Sequence, residues 1–442
     1  MIEICAVGGY NEVGKNMTAI KIDNEVIIFD MGVYLDSYIR FTKDEIIRNL
    51  DPNVLMRAGA IPDISAIDDW KSKVVAIIPS HAHLDHVGAL PFLANRFDAP
   101  IMCTPFTAEV IKAIIRDEKI RFRNEIKVLN PNSFINLTPN IKVEFVNMTH
   151  STPQTAMVVL HTKYGAVIYG NDFKLDNSPV LGKKPDYDRL REIGKKGVLA
   201  IIMDSTYSRE FKKTPSEAVA KEMLREVMLG TESQGKLVVV TTFASHMARL
   251  KSIIEFGKEM KRKIVFMGRS LSKYTLAAEA AKIVDFSKKV EITRYSKEAT
   301  RKLKEIEKHG RQKYLLVVTG HQGEPDSMLY RMTFGKLPFK FNKEDIVIFS
   351  SHTIPTEINK LNVERIESEL KHQGVRMFTD IHSSGHAMRE DMRDLISMFK
   401  PKKIIPAHGF EIMKENLRDL ALEIGYTDEN IIMLSDGERA IL

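Results

Sequence analysis

The sequence predicts an α/β protein in which one module, built on a parallel sheet, is inserted into another module. Residues 1–200 consist mainly of short apolar runs separated by turns, whereas apolar strands alternate with amphipathic helices after Asp204. Such alternation is typical of a parallel sheet covered by helices on both faces. Histidine-rich segments lie on both sides of the alternating region. We therefore expect residues 1–206 and 382–442 to form the first module and residues 207–381 the inserted one.

The order of elements follows from the apolar periodicity and the turn residues. In the first module, strands are predicted at 2–7, 18–22, 25–30, 74–80, 126–129, 142–147, 156–161, 166–169, 403–406 and 431–434. Helices are predicted there at 88–96, 105–119 and 388–399. In the inserted module, strands are predicted at 235–241, 263–267, 314–319, 345–349 and 375–378, with helices between them.

The composition is that of a soluble globular protein, because 44% of the 442 residues are hydrophobic and 28% are charged. No apolar run of transmembrane length and no signal peptide is present, so we expect no membrane association. Cys5 and Cys103 do not form a disulfide framework, which favours a reducing cytoplasm. The net charge of +7 is compatible with a polyanionic partner, but interleaved acidic residues leave solvated helix faces as the alternative.

The most informative segment is His81-Ala82-His83-Leu84-Asp85-His86, which directly follows the predicted strand 74–80. Three imidazoles and a carboxylate at the end of one strand can hold two divalent metal ions, and these ligand types suit zinc, with manganese as an alternative. The chain has 13 histidines in 442 residues, so three within six positions are hard to explain as an ordinary polar turn.

Further candidate ligands follow other predicted strands. Taken singly, His150, Asp172 or His408 could be an ordinary polar residue, but as a set with the histidine-rich segment they indicate a two-metal site. A carboxylate that bridges two metals suits phosphoryl displacement. The predicted ligands are His81, His83 and His150 for one metal, Asp85, His86 and His408 for the other, and Asp172 between them.

This set of residues resembles the metallo-β-lactamase fold, which is an αββα sandwich. Asp30 matches the first motif of that fold, a carboxylate that orients the site without binding metal. The inserted module, together with Asp204, His386 and His408, resembles the β-CASP nucleases. The whole chain is similar to the ribonuclease J family in its archaeal form, in the segments 8–17, 242–245, 319–325 and 382–386.

The resemblance implies a zinc-dependent ribonuclease with two zinc ions per chain, manganese being possible, that acts on single-stranded RNA. It further implies 5′-to-3′ exonuclease action with a preference for a 5′ monophosphate, and a homodimer. Catalysis is assigned to Asp85, His386 and Asp204: a His–Asp pair favours an imidazolium that can protonate or stabilise the departing oxygen. A purely structural role for His386 is the alternative.

Four residues are candidates for RNA contacts. His382 and Ser384 resemble positions that hold an RNA phosphate, although a turn whose serines cap the next helix is the alternative. Phe243 and Ser245 follow a predicted strand of the inserted module, where Phe243 could stack on a base or could belong to the core. Two further phosphate candidates, Lys174 and Arg249, are expected to be solvated surface cations instead.

Other functions remain open from the residues alone. The nearest is an endoribonuclease of the same superfamily, since metal ligands do not distinguish the two modes. A small-molecule metallohydrolase is disfavoured by the inserted module and His386. A non-catalytic RNA-binding protein is disfavoured because every expected ligand is present, and a di-iron protein because His83 stands where a carboxylate is typical.

Overall fold

The computed structural model describes residues 1–42, 51–354 and 356–442. It contains two compact units: one comprises Met1–Asn177, Lys183–Thr214 and Gly385–Leu442, the other Ser178–Gly182 and Pro215–Ser384. Along the chain, the second unit therefore lies between two parts of the first. The main changes of unit fall after residues 214 and 384. The division into modules at 206/207 and 381/382 stays a prediction.

The strands and helices are numbered in chain order over the described residues. The strands are β1 (Ile2–Gly8), β2 (Met17–Ile22), β3 (Glu25–Phe29), β4 (Val74–Ile78), β5 (Ile101–Cys103), β6 (Ile126–Val128), β7 (Ser133–Asn136), β8 (Lys142–Asn147), β9 (Ala156–Thr162), β10 (Gly165–Gly170), β11 (Val198–Asp204), β12 (Val238–Thr241), β13 (Lys263–Met267), β14 (Glu291–Thr293), β15 (Tyr314–Val318), β16 (Ile346–Phe349), β17 (Arg376–Phe378), β18 (Lys403–Ala407) and β19 (Arg439–Ile441). The α-helices are α1 (Leu35–Thr42), α2 (Pro52–Arg57), α3 (Leu84–Val87), α4 (Leu90–Leu93), α5 (Pro105–Glu118), α6 (Tyr187–Lys196), α7 (Glu217–Gly230), α8 (Met247–Glu259), α9 (Arg269–Ala280), α10 (Ser296–His309), α11 (Met328–Thr333), α12 (Glu357–His372), α13 (Arg389–Phe399) and α14 (Glu411–Glu423). Short 3-10 helices span Ile64–Lys73, Ala94–Arg96, Phe286–Lys288, Arg311–Lys313 and Asp428–Asn430.

The first unit is a sandwich of two sheets. Their strand orders are β19-β1-β2-β3-β4-β5-β6 and β18-β11-β10-β9-β8-β7. Alternate side chains of the two sheets, such as Phe29, Ile78, Phe145 and Val158, form one buried core between them. On the outer face of the second sheet, the apolar sides of α6, α13 and α14 pack in a separate core. This arrangement confirms the predicted sandwich, and it buries both faces of the second sheet.

Strand direction brings the candidate ligands to one edge of this unit. In the first sheet, β3 and β4 are parallel, so Asp30 and His81 both follow the carboxyl ends of neighbouring strands. In the second sheet, β10, β11 and β18 are parallel, and their carboxyl ends lead to Asp172, Asp204 and His408. Strand β8 is antiparallel to β9, which is antiparallel to β10, so β8 runs in the same direction as β10. The residues at these strand ends therefore meet because the register and the direction of six strands agree.

The second unit contains the predicted parallel sheet, with strand order β14-β13-β15-β12-β16-β17 and every neighbouring pair parallel. Its central strand β12 consists of four fully buried residues, as expected for a strand covered on both faces. One face packs on α10, α11 and α12. The loops after β12, β15, β16 and β17 all leave from the carboxyl edge, where ligands bind in such sheets.

The prediction of a last strand at 431–434 is wrong. This segment forms only an isolated bridge between Ile404 and Ile431, and the strand β19 instead pairs antiparallel with β1. The apolar residues Ile431 and Leu434, which suggested a strand, are buried in the two cores of the first unit without forming one. The residues of β19 are half-buried or exposed, so their sequence carries no apolar run that would reveal a strand. No helix in the described ranges is long and apolar enough to cross a membrane.

The two-sheet core predicts a difference between neighbouring phenylalanines. Phe145 of β8 is 0% exposed, whereas Phe134 of β7 is 61% exposed. We expect Phe145→Ala to lower the free energy of unfolding of the first unit by about 3–5 kcal/mol, because it leaves a cavity. The control Phe134→Ala should cost less than about 1 kcal/mol, mainly through the lost contact with Lys142. Urea unfolding followed by circular dichroism measures both, and equal losses would contradict this assignment of the core.

Candidate active site

Asp30 is the structural centre of the site. It directly follows β3, is fully buried and has a φ of 55°. Its Oδ1 accepts a hydrogen bond from the Ser80 backbone N–H at 2.7 Å, and its Oδ2 accepts from the hydroxyl of Tyr169 at 2.7 Å and from Nδ1 of His86 at 2.7 Å. Its side chain thus contacts His86, the residue before His81, and the strand that leads to Asp172. These bonds hold the left-handed backbone of Asp30 in place. Its role as a carboxylate that orients the site stays a prediction.

Three imidazole nitrogens converge on one point. Nδ1 of His83 lies 3.0 Å from Nε2 of His81 and 3.1 Å from Nε2 of His150. Burial lowers the pKa of His81 and of His150 well below the usual value, and lowers that of His83 to about 4. The three rings are therefore neutral at neutral pH, and each carries a single N–H proton.

The ring nitrogens that point away from this centre contact other groups of the protein. Nδ1–H of His150 donates to the Gly385 carbonyl at 2.7 Å, and Nδ1–H of His81 donates to the Ser80 hydroxyl at 3.0 Å, which itself donates to Asp30 at 3.1 Å. Nε2 of His83 lies 3.3 Å from the Ser151 hydroxyl. Three nitrogen lone pairs consequently face one another, and a cation is the group that would satisfy them together.

Asp172 lies beside this group and joins it to a second one. Its Oδ2 is 3.6 Å from Nε2 of His81 and 3.3 Å from Nε2 of His86, while its Oδ1 is 3.8 Å from Nε2 of His408. Both carboxylate oxygens are buried, and within the described ranges neither accepts a hydrogen bond. An ionised carboxylate buried in this way requires a positive charge, so the residues present fit divalent metal ions on both sides of Asp172.

The structure brings together both predicted ligand sets. The side chains of His81, His83, His150 and Asp172 offer ligand atoms within 4.8 Å of one another, and so do those of Asp85, His86, Asp172 and His408. In the second set, burial opposes a charged His86, but the carboxylates of Asp172, Asp30 and Asp85 raise its pKa well above the usual value. A metal ion in this position would neutralise the same carboxylates in place of the proton.

Asn16 is a residue of the site that the sequence analysis missed. It precedes β2, and its Oδ1 accepts from Nδ1 of His408 at 2.9 Å, which leaves Nε2 of His408 as the ligand atom. Its Nδ2 lies 3.0 Å from the Asp85 carbonyl and 3.1 Å from Nε2 of His86. In the sequence, the segment 8–17 is distinguished only by its resemblance to the family. That resemblance is the signal that could identify its asparagine as a hydrogen-bonding partner of the site.

His386 and Asp204 form the predicted pair. Nδ1–H of His386 donates to Oδ2 of Asp204 at 2.7 Å, and the same nitrogen lies 3.8 Å from Asp172 Oδ2. Burial opposes the charged ring, yet the carboxylates of Asp204 and Asp172 raise the pKa of His386 to about 9. The ring stacks on that of His408 with centroids 5.5 Å apart. His386 therefore lies next to the ligands as a cationic donor.

The four candidate RNA-contact residues lie in the second unit, in loops at the carboxyl edge of its sheet. Phe243 is half-buried and contacts the ring of His321 at 4.0 Å between centroids, with the ring of His382 at 6.3 Å. Ser245 is buried, whereas His382 and Ser384 are half-buried. The capping alternative for Ser384 is not observed, because the N-cap of α13 is Met388 and has no side-chain cap.

The expectation for Lys174 and Arg249 is wrong, since neither is a surface cation. Lys174 is 3% exposed and its Nζ lies 3.3 Å from Asp176 Oδ2. Arg249 is 0% exposed and pairs with Glu217. Charge patterning in the sequence does not distinguish a buried ion pair from a solvated one, because the carboxylate partner of Arg249 is 32 residues away.

The fold and the site together define a metallo-β-lactamase protein of the β-CASP class. Three family models match the chain: the metallo-beta-lactamase superfamily over residues 10–195, the ribonuclease J beta-CASP domain over 234–370, and the Zn-dependent metallo-hydrolase RNA specificity domain over 374–433. A crystal structure of a protein of unknown function from Enterococcus faecalis V583 has the same fold, with a TM-score of 0.63 at 16% identity over 100% of both chains.

Comparison with curated relatives identifies the family within this class. The chain is 42% identical to ribonuclease J of Methanocaldococcus jannaschii, over 99% of this chain and 98% of that protein. It is 43% identical to ribonuclease J of Pyrococcus abyssi, over 100% of this chain and 97% of that protein. It is also 30% identical to ribonuclease J of Synechocystis sp., of which it covers 65%. The chain belongs to the ribonuclease J family.

The contact between Asn16 and His408 predicts a defect in metal binding. We expect Asn16→Ala to weaken the binding of one metal ion about 10- to 100-fold, because His408 loses the acceptor that fixes its tautomer. Metal content after dialysis against a graded chelator, measured by mass spectrometry, gives the result. The control is Asn11→Ala, an exposed residue of the same turn, which should bind metal like the unaltered chain. Unchanged binding in Asn16→Ala would contradict the role of Asn16.

Proposed function

We propose that this protein is a zinc-dependent ribonuclease that degrades single-stranded RNA in the 5′-to-3′ direction and prefers a 5′ monophosphate. Membership of the ribonuclease J family supports a metal-dependent ribonuclease. The observation that carries the site assignment is the buried Asp172 carboxylate, whose oxygens accept no hydrogen bond in the described part of the chain and lie between two groups of imidazole nitrogens. We assign two zinc ions to these groups, since imidazole and carboxylate ligands suit zinc and also permit manganese.

The ligands of the first ion would be His81, His83, His150 and Asp172, and those of the second Asp85, His86, Asp172 and His408. When bound, such ions activate water and stabilise negative charge on phosphate oxygens. Asp30, Ser80 and Asn16 hold the ligand rings by their other nitrogens, so that the ring positions do not change during turnover.

His386 and Asp204 supply the proton in this proposal. The carboxylate of Asp204 accepts from Nδ1 of His386 and fixes the direction of the ring. With its pKa raised to about 9, the ring is an imidazolium at neutral pH. It can therefore donate a proton to the oxygen that leaves the phosphorus, or stabilise the charge on that oxygen. Asp85 contributes as a ligand.

The preference for the 5′ end is assigned to the second unit. His382, Ser384 and Ser245 lie at the carboxyl edge of a parallel sheet, where phosphate groups commonly bind. We assign base stacking to the half-buried Phe243, whose ring contacts that of His321. A site for a single terminal phosphate would favour RNA with a 5′ monophosphate and would disfavour the larger and more charged triphosphate. An endoribonuclease, the second candidate, would need no such terminal site.

One RNA tests both modes. It is prepared with a 5′ monophosphate, triphosphate or hydroxyl and a 3′ label, and in parallel with a labelled 5′ phosphate. We expect immediate release of labelled mononucleotide from the 5′-labelled sample, no internal fragments, and the fastest decay for the monophosphate. Discrete internal fragments that do not depend on the 5′ group would favour the endoribonuclease. The control His81→Ala/Asp85→Ala should be inactive. Absence of cleavage by the unaltered chain with zinc or manganese would overturn the proposal that the protein is a ribonuclease.

The role of His386 predicts a loss of rate without a loss of metal. We expect His386→Ala to lower the rate of single-turnover cleavage about 10²- to 10⁴-fold, because the general acid is removed. Bound metal per chain should stay unchanged. The control is His372→Ala, an exposed histidine of α12, which should cleave at the unaltered rate. A variant of His386 that loses metal, or that cleaves normally, would contradict this assignment.

Two further parts of the proposal come from the resemblance and the cysteines. We propose a homodimer, which analytical ultracentrifugation of the full chain tests directly: a mass of one chain at micromolar concentration would contradict it.

We also propose a cytoplasmic location, because Cys5 and Cys103 are both free and buried as thiols. Burial raises the pKa of Cys5 to about 11 and that of Cys103 to about 12, so both thiols are unreactive.

A further inference from the structure

Arg249 of α8 is a fully buried cation at the carboxyl edge of the sheet in the second unit. Its Nε and Nη2 donate to Oε1 and Oε2 of Glu217 at 2.7 and 2.9 Å, which is a bidentate pair. Glu217 is 3% exposed and is the first residue of α7. The pair neutralises its own charge, so the guanidinium is not available as a direct cationic ligand for phosphate.

The remaining nitrogen of Arg249 connects the ends of two strands. Nη1 donates to the carbonyl and the hydroxyl of Ser350, each at 2.9 Å, and to the Ile381 carbonyl at 3.1 Å. Ser350 directly follows β16, and Ile381 precedes the candidate phosphate residue His382. Nη1 also lies 3.4 Å from Nδ1 of His382. Arg249 thus holds both the backbone and the ring of the segment that carries His382.

This contact favours one position for the ring proton of His382. A guanidinium has only donors and does not lose its proton in proteins, so Nδ1 of His382 acts as an acceptor towards Nη1 of Arg249, 3.4 Å away. The single proton of the neutral ring is then on Nε2. Within the described residues, Nε2 of His382 makes no hydrogen bond to the protein, and the side chain is half-buried. Nε2–H is therefore a donor without an internal acceptor.

The surrounding charges favour the neutral ring. Burial, with Arg249 and His246 adding to it, lowers the pKa of His382 well below the usual value, and Glu217 opposes this only in part. Nδ1 of His246 accepts from the backbone N–H of Arg249 at 3.3 Å, and its Nε2 lies 3.4 Å from Glu217 Oε2. The nearby His352 is 3.1 Å from Asp380 Oδ1. His382 consequently faces one paired cation, one paired anion and two other histidines.

We propose that Arg249 is a positioning residue of the 5′-phosphate site: it holds His382 as a neutral Nε2–H donor to a phosphate oxygen. The inference rests on the proposed function, because it takes the 5′ phosphate of RNA as the ligand. The site then recognises phosphate through oriented hydrogen bonds in a region whose buried charges cancel. Sequence preference is absent from such a contact, since it reads the phosphate alone.

The first test observes the proton on the ring. In the full chain labelled with ¹⁵N-histidine, the His382 signal is assigned by its loss in His382→Gln. We expect the Nε2–H tautomer at neutral pH, and a mixture of tautomers in Arg249→Lys, which lacks the planar donor group. An Nδ1–H tautomer or an imidazolium in the unaltered chain would overturn the proposal. The result for the unaltered chain does not depend on whether Arg249→Lys folds.

The second test measures binding without cleavage. Fluorescence anisotropy in the His81→Ala/Asp85→Ala background gives the ratio of Kd for 5′-hydroxyl RNA to Kd for 5′-monophosphate RNA. We expect Arg249→Lys to lower this ratio about 10- to 100-fold, with the affinity for 5′-hydroxyl RNA unchanged. The control is Arg262→Lys, an arginine of the same unit whose Nη atoms donate to the Lys236, Tyr314 and Ser233 carbonyls, and it should keep the ratio.

The outcomes separate the two proposals. If the background chain with Arg249 intact shows no preference for the 5′ monophosphate, the proposed phosphate site fails. If it shows the preference and Arg249→Lys retains it, the phosphate site stands and the role of Arg249 is overturned. A loss of affinity for both RNAs in Arg249→Lys would indicate structural damage and would also overturn the specific role.

Discussion

Lone pairs that face one another in a buried space repel. At one edge of the first unit, the ligand atoms of five imidazoles and two carboxylates face one another in this way. Nε2 of His81 and Nε2 of His150 lie 3.0 and 3.1 Å from Nδ1 of His83, with the ring protons on the opposite sides of the rings. Asp172 adds an ionised carboxylate whose oxygens accept no hydrogen bond in the described residues. This arrangement requires cations, and the strands and loops of the first unit hold its side chains in place.

The supporting hydrogen bonds show how the fold maintains this arrangement. Each ring is held by the nitrogen that does not face the centre, through Asp30, Ser80, Ser151, Gly385 or Asn16. Asn16 and His408 are 392 residues apart in the chain. The bond between them joins the first loop of the unit to the loop after β18. Within the first unit, the parallel pairing of β11 with β18 brings the early and late parts of the chain into one sheet.

The second unit uses a different electrostatic arrangement at its own sheet edge. Glu217 and Arg249 cancel each other in the interior, and the histidines around them are neutral or hydrogen-bonded. A site of this kind offers directed donors without a strong field. In the proposed function, the charged groups that take part in the chemistry belong to the first unit, and the oriented groups that contact a phosphate belong to the second. This division of roles is consistent with catalysis and specificity residing in separate modules.

The ligand types and the fold class can be predicted from the sequence because both are local. His81, His83, Asp85 and His86 lie within six residues, and the alternation of apolar strands with helices indicates a parallel sheet. His150, Asp172 and His408 are predicted from their positions after apolar strands, and Asp204 and His386 from the resemblance. The tautomers, the contacts of Asn16, the burial of Arg249 and the pairing of β19 are visible only in the folded chain. Each of these depends on partners from distant segments, and a partner in space leaves no pattern within one segment of sequence.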